Sequence, residues 1–247
     1  MNYVLFSSGK LATVIYSIEY KNDFDCFYLF QGKSSTGNSL LNGRIGFKAM
    51  CSASSVTKDC MAQTISVTGS NGKQNQLIIV DTPGFFDTNN VNTNEMIKNK
   101  IAKQIFDLTL PGVHAFLFIL SNERFTPQEQ ETVKYIESIF GTDVTRYGIV
   151  IVTHLDQLEE EKNFRNLDTF IQNSPPGLQE LVRKCGDRKF AINNKFKGSQ
   201  LQQHLQPLIQ MIENVVRINN GKCYTHAEYE RIERSRRLRK FLCYYNI

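Results

Sequence analysis

Several things are scarce in this sequence of 247 residues, and each scarcity closes off a class of protein. No apolar run reaches the roughly 18 residues that a membrane-crossing helix needs. The N-terminus has no charged start followed by a clean apolar stretch, because Lys10 interrupts Tyr3 to Ile18; this argues against a secretory signal. With 6 prolines and 15 glycines the chain is neither collagen-like nor of low complexity. The cysteines, at 26, 51, 60, 185, 223 and 243, form no CxxC and no paired spacing. Neither a zinc site nor a disulfide framework is expected, and reduced thiols in the cytosol are the better reading. One-sided charge is scarce too: 29 Lys and Arg face 24 Asp and Glu, a net charge of +5. Much of that excess sits in one tail, where Arg231, Arg234, Arg236, Arg237, Arg239 and Lys240 outnumber Glu228, Glu230 and Glu233. A nucleic-acid binder would spread its positive charge over a groove-sized face, so no nucleic-acid partner is expected.

What remains is 41 % apolar and 21 % charged, enough to bury a core. The length suits one α/β domain with an appendage, or at most two small domains. Strand and helix signals alternate after residue 60. Ala62 to Thr68 alternates apolar and polar and runs into a turn at Gly69 to Lys73. Gln76 to Asp81, Val113 to Leu120 and Gly148 to Val152 read as buried strands, with a further short strand at Lys189 to Ile192. Helical spacing joins Met96, Ile97, Ile101, Ile105 and Leu108. Thr126 to Glu129 opens a helix with a capping box, and that helix stops at Gly141. Phe164, Leu167 and Ile171 share a helical face closed by Ser174-Pro175-Pro176-Gly177. Leu201 to Ile218 forms a last amphipathic helix, with a kink or a late start expected at Pro207. The pattern predicts an α/β fold with a mainly parallel sheet and helices on both faces. Ligands bind such sheets at the carboxyl ends of the strands.

Four turns carry the chemistry. Gly32-Lys33-Ser34, ahead of the helical stretch Ser35 to Leu41, is the second half of a phosphate-binding loop. Backbone N–H groups at a helix start hold phosphate oxygens; Lys33 would neutralise phosphate charge and Ser34 would ligate Mg²⁺. Gly32, Lys33, Ser34 and Ser35 are thus candidate nucleotide-binding residues. The loop's first glycine is absent, its place taken by Phe27. Asp81-Thr82-Pro83-Gly84 follows a buried strand, 47 residues after Ser34. Asp81 can reach Mg²⁺ through water and the Gly84 N–H can meet a γ-phosphate, so loss of that phosphate would release the loop. Thr153-His154-Leu155-Asp156 ends the strand at 148–152, and a carboxylate there can accept from both guanine N1–H and N2–H₂. Adenine lacks that donor pair, so Asp156 would discriminate against it. Asn193 and Asn194 follow the last strand, where an Asn can contact the base O6 side.

In this order, and with GKSSTGNSLL, SVTKDC, VDTPGFFD, PGVHAFLFIL, NERFTPQEQ, THLDQL and CGDRKFAINN around them, these turns resemble the immunity-associated GTPases. This GIMAP/IAN, avirulence-induced-gene type is a septin-related branch of the P-loop GTPases. The likeness covers about Gly32 to Arg217. It implies a three-layer α/β/α G domain over 23–218 that binds GTP or GDP with Mg²⁺, switches segments 43–60 and 81–95, and pairs as a homo- or hetero-oligomer through its nucleotide face. It also implies Thr57 as the switch threonine completing a metal shell with Ser34 and Asp81, His154 beside the base or ribose, and Asn193 and Asn194 closing over the base. Phe85 stands where Ras-like enzymes carry a water-orienting Gln, so intrinsic hydrolysis is expected to be slow. Arg124 is the candidate for a catalytic arginine supplied across a dimer. His114, in an apolar strand, reads as a core histidine.

Two stretches depart from that pattern. Residues 1–31 lack the family's opening strand, and Tyr28, Leu29 and Phe30 would crowd a phosphate loop, although Phe24 to Phe30 is apolar enough for a strand. Residues 1–22 are set apart as an atypical segment, a candidate for mis-assigned coding sequence. A nucleotide-incompetent scaffold is the resulting alternative; an ATP-dependent P-loop enzyme is another, opposed by Asp156. The tail 219–247 reads as a solvated basic helix, or one making weak peripheral contact with an anionic membrane through 231–247.

Overall fold

In a computed structural model the two most apolar runs form the two innermost strands. The structure describes residues 6–8, 11–19, 23–25, 33–43, 46–47, 60–69, 72, 74–81, 103–104, 106–108, 112–122, 125, 130, 133–134, 137–138, 140–156, 166–225 and 227. Strands β1 (Phe6–Ser8), β2 (Leu11–Glu19) and β3 (Asp23–Asp25) precede helix α1 (Lys33–Leu40). Next come β4 (Met61–Thr68), β5 (Gln74–Asp81), β6 (Ala115–Leu120), a 3₁₀ turn (Thr142–Tyr147) and β7 (Gly148–Thr153). Helices α2 (Leu167–Gln172) and α3 (Pro176–Lys184), β8 (Lys189–Ile192) and α4 (Gly198–Ile218) complete the order.

Every residue of β6 and β7 is buried, as expected of strands covered on both faces. They pair in parallel from Phe116↔Gly148 to Leu120↔Val152, and β8 continues the parallel ladder from Val150↔Lys189 to Thr153↔Ile192. Gly148 is required there. A Cβ on it would sit 2.5 Å from Cys185 Sγ and 2.7 Å from the Phe118 ring. Arg188 ties the starts of the last two strands together by donating to the carbonyls of Gly148 (2.8 Å) and Arg146 (2.7 Å). The α/β class and the parallel core thus match the sequence pattern.

Beyond β6 the sheet turns antiparallel. β2 pairs with β6 from Ala12↔Ile119 to Tyr16↔Ala115, with β1 and β3 hydrogen-bonded to β2. Residues 11–19, set apart in the sequence reading, therefore supply the strand beside β6. The two- and three-residue connections between β1, β2 and β3 require those three to run antiparallel, whereas β2 and β6 meet from distant parts of the chain. Of the strand expected over 24–30, β3 is the described part, and 26–30 lie outside the described residues. β4 and β5 form a two-stranded ribbon from Met61↔Asp81 to Thr68↔Gln74, turning at Gly72 with φ 72°. β5 also lies against β2, β3 and α1.

Two helical expectations change. Ser174-Pro175-Pro176-Gly177 closes α2 but also opens α3, whose Leu178, Leu181 and Val182 are buried; proline fits a first helical turn because no N–H is needed there. α4 has no late start at Pro207 and runs from Gly198 to Ile218 with Pro207 inside. Pro207 and Gln203 are exposed, so the carbonyl that loses its partner faces water.

The packed body continues past 218. Tyr224 exchanges backbone hydrogen bonds with Val113 and is buried among Phe116, Phe140 and Tyr147, with ring centroids 5.5, 6.2 and 5.5 Å away. The cationic part of the tail, 231–247, lies outside the described residues. His114 is fully buried and hydrogen-bonds the Gly221 carbonyl at 3.2 Å, a core histidine as expected. Burial lowers its pKa to about 3. The unfolded chain protonates near pH 6.5, so the native state binds fewer protons below that value. The associated stability is full above about pH 6.5 and drains as pH falls toward about 3. In urea unfolding, the fall in stability between about pH 6.5 and 4.5 should be shallower for His114→Gln than for wild type, by up to about 1.4 kcal/mol per pH unit.

Candidate functional site

The parallel strands end on one side at Leu120, Thr153 and Ile192, and the turns that follow are tied to one another. Thr153 is fully buried and its hydroxyl donates to the Leu120 carbonyl at 3.1 Å, locking the end of β7 to the end of β6. The same hydroxyl lies within hydrogen-bond distance of His154 Nδ1, at 3.0 Å, joining the first residue of the turn to the strand end. His154 has φ 61°, a left-handed conformation that turns the chain out of β7 toward Leu155 and Asp156. An ordinary side chain held there is a common mark of a functional turn.

The turn after β8 is the hub. Asn193 is buried, and its Oδ1 accepts from the Lys195 N–H at 2.9 Å. Its own N–H donates to Nε2 of His204 on α4 at 3.3 Å, and the His204 ring packs at about 5 Å from Phe190 and Phe196. Asn194 spends both ends of its amide on α1: Nδ2 donates to Thr36 Oγ1 (2.8 Å) and Oδ1 accepts from Ser39 Oγ (2.9 Å). Lys195 Nζ meets Asp156 Oδ2 at 2.5 Å, joining this turn to the one after β7. The Lys195 ammonium holds the Asp156 carboxyl below the usual carboxylate range. Two of the four turns read from the sequence are therefore cross-linked, and the second of them is tied to α1 at Thr36 and Ser39, within the helix that the first turn opens.

The remaining candidates divide by what is described. Lys33 and Ser34 occupy the first turn of α1, where free backbone N–H groups suit an anion. Ser35 follows them, half-buried. Asp81 is the last residue of β5, the strand that α1 touches. Gly32, Thr57, Gly84 and Arg124 lie outside the described residues. Asn194, expected to close over the base, ties its turn to α1 through one hydrogen bond at each end of its amide.

Several working residues escaped the sequence reading. Asn38 on α1 donates to the Phe47 carbonyl and accepts from the N–H groups of Gly46 and Phe47, all at 2.9 Å. Gln104 Oε1 accepts from the Cys60 N–H at 3.2 Å. Segment 43–60, expected to switch, is thus pinned near both ends. An Asn inside a short helix was the one available signal, since such side chains compete for backbone groups. Among the described residues no cluster of three or more His, Cys, Asp or Glu could hold a metal, and no helix is long and apolar enough to cross a membrane. A cavity of about 460 Å³ lies against the start of β8, lined by Asp168, Arg183, Asp187 and Lys189 among others, away from these turns.

Removing the Asn194 amide takes a hydrogen-bond partner from each of two buried hydroxyls, Thr36 (0 % exposed) and Ser39 (2 %). Asn194→Ala should therefore cost about 1–3 kcal/mol of stability, read as a lowered urea midpoint, and a midpoint equal to wild type would contradict the tie.

A sequence model of the AIG1 family matches residues 30–241. Immune-associated nucleotide-binding protein 9 of Arabidopsis thaliana is 32 % identical over 205 residues, covering 82 % of this chain and 57 % of that protein. The chain thus spans a little over half the length of that curated relative. Toc33 from Arabidopsis thaliana in complex with GDP and Mg²⁺ has a TM-score of 0.54 at 16 % identity, over 81 % of this chain and 84 % of that one. A further structure, from work on atToc33 and psToc159 in which dimerization is important for GTPase activity, scores 0.53 at 18 % identity over 76 % and 80 % of the two chains. At such identities the likeness speaks for the fold alone. With its motifs, its fold and a family match over most of its length, the chain belongs to the AIG1 family.

Proposed function

We propose that this chain binds GDP and GTP, with Mg²⁺, where α1 begins and β5, β7 and β8 end. The observation that carries the reading is the cross-linking of α1, the 153–156 turn and the 193–195 turn by the Asn194 and Lys195 side chains. In this arrangement the start of α1 takes the phosphates, with Lys33 neutralising them, and the ionised Asp156 takes the guanine N1–H and N2–H₂. Ser34 and Asp81 offer a hydroxyl and a carboxylate, hard oxygen donors of the kind Mg²⁺ prefers, from elements in contact. The ion, when bound, would neutralise phosphate charge. Thr57 from segment 43–60 and Gly84 from 81–95 are the proposed sensors of the γ-phosphate. The pinning of 43–60 at Gly46–Phe47 and at Cys60 supports a segment that rearranges between fixed ends.

Hydrolysis is proposed to be slow in the monomer, since Phe85 cannot orient water, and to be raised by Arg124 supplied from a second copy. Dependence of Toc33 activity on dimerization supports pairing through the nucleotide face. The place proposed for the protein is the cytoplasm, with residues 231–247 available to an anionic membrane surface. A second reading has its own observation: Phe27 stands where the phosphate loop's first glycine belongs, and this favours an assembly scaffold that does not bind nucleotide.

A titration of the full chain with fluorescent GDP and GTP in Mg²⁺ separates the readings. Wild type should bind both; Lys33→Ala should lose triphosphate binding, and Asp156→Asn should shift preference from guanine toward xanthine. Equal affinity in all three proteins would refute the site.

A further inference from the structure

Lys195 is not part of the nucleotide-binding pattern read from the sequence, yet it occupies the carboxylate on which base recognition is proposed to depend. Its ammonium lies 2.5 Å from Asp156 Oδ2. The Asp156 side chain is 19 % exposed and that of Lys195 75 % exposed, so the cation covers the carboxylate from the solvent side. The Asn193 Oδ1 bond to the Lys195 N–H fixes where that side chain leaves the backbone. His204 fixes Asn193 in turn.

Guanine recognition of this kind needs both carboxylate oxygens, one for N1–H and one for N2–H₂. An ammonium on Oδ2 competes with the guanine donor for one of them. Lys195 is mostly in water, has a flexible four-carbon stem and can swing away with its hydration restored. The ion pair is therefore weak enough to yield and strong enough to register in an affinity.

We infer that Lys195 is a built-in competitor for the base subsite, a cation that holds Asp156 while the subsite is empty and must leave it for guanine to enter. This rests on the proposed nucleotide site. It makes Lys195 an affinity-setting residue whose removal tightens binding, the reverse of what loss of a contact residue does. It also makes base binding sensitive to salt with an unusual sign. Screening weakens the ion pair and so favours a neutral guanine ligand.

Guanosine is the probe, since it carries no phosphate charge to confuse the salt effect. Its dissociation constant on the full chain would be measured by calorimetry at low and high salt, for wild type, Lys195→Met and Lys195→Arg, with GDP binding in Mg²⁺ as the control. Lys195→Met keeps the stem length and removes the charge. It should bind guanosine about two- to fivefold more tightly at low salt, the range of an exposed ion pair. Wild-type affinity should rise with salt while that of Lys195→Met stays flat, and Lys195→Arg should follow wild type. Equal or weaker guanosine binding by Lys195→Met, with GDP still bound, would overturn the competitor role and leave the nucleotide site standing. A wild-type chain that binds neither ligand would overturn the site and, with it, this inference.

Discussion

The arrangement depends on one small knot of polar contacts in the turn after β8. Asn194 reaches back 158 residues to Thr36 and 155 to Ser39, and Lys195 reaches 39 residues to Asp156. The parallel ladder alone brings the ends of β7 and β8 side by side. It does nothing to place α1, which belongs to a distant part of the chain. The amide of Asn194 contributes to that, together with the packing of α1 on β5, by offering one donor and one acceptor to two buried hydroxyls. Burial makes the contact costly to lose, and so makes the position of α1 definite.

The core of the fold was legible because its strands are apolar on both faces. AFLFIL and GIVIVT admit few other placements, and both are wholly buried in the sheet. The terminal helix was legible from its stripe of Leu201, Leu205, Leu208, Ile212 and Val215. α3 was not, because Pro175 and Pro176 read as an ending while the helix signal behind them is brief. Nor was the docking of Tyr224, whose partners Phe116, Phe140 and Tyr147 come from separate elements and leave no periodic trace. The strand at 11–19 is not legible from the motifs, because the family likeness begins at Gly32.

At the site, the motif letters named turns of which two are tied together, but not what each side chain touches. Asp156 and Thr153 stand where the strand-end rule puts them. The position of Asn194 after a strand suggests the base, and the hydrogen bonds of its amide to α1 leave no trace in the motif. Lys195, Asn38 and Gln104 act through contacts 8 to 44 residues away, and single-sequence spacing carries no record of such pairs. The contrast is physical. Motifs record groups that meet a ligand, whereas the groups that hold those motifs in place are constrained only by their partners.

The account stands on convergence: α1, the 153–156 turn and the 193–196 turn must respond together to one guanine nucleotide. Hydrogen–deuterium exchange on the full chain, with and without GDP and Mg²⁺, reads all three at once. Protection that rises in all three segments over a single titration, with α3 unchanged, is the result this structure predicts. Protection confined to one segment, or centred on the cavity beside the start of β8, would contradict it.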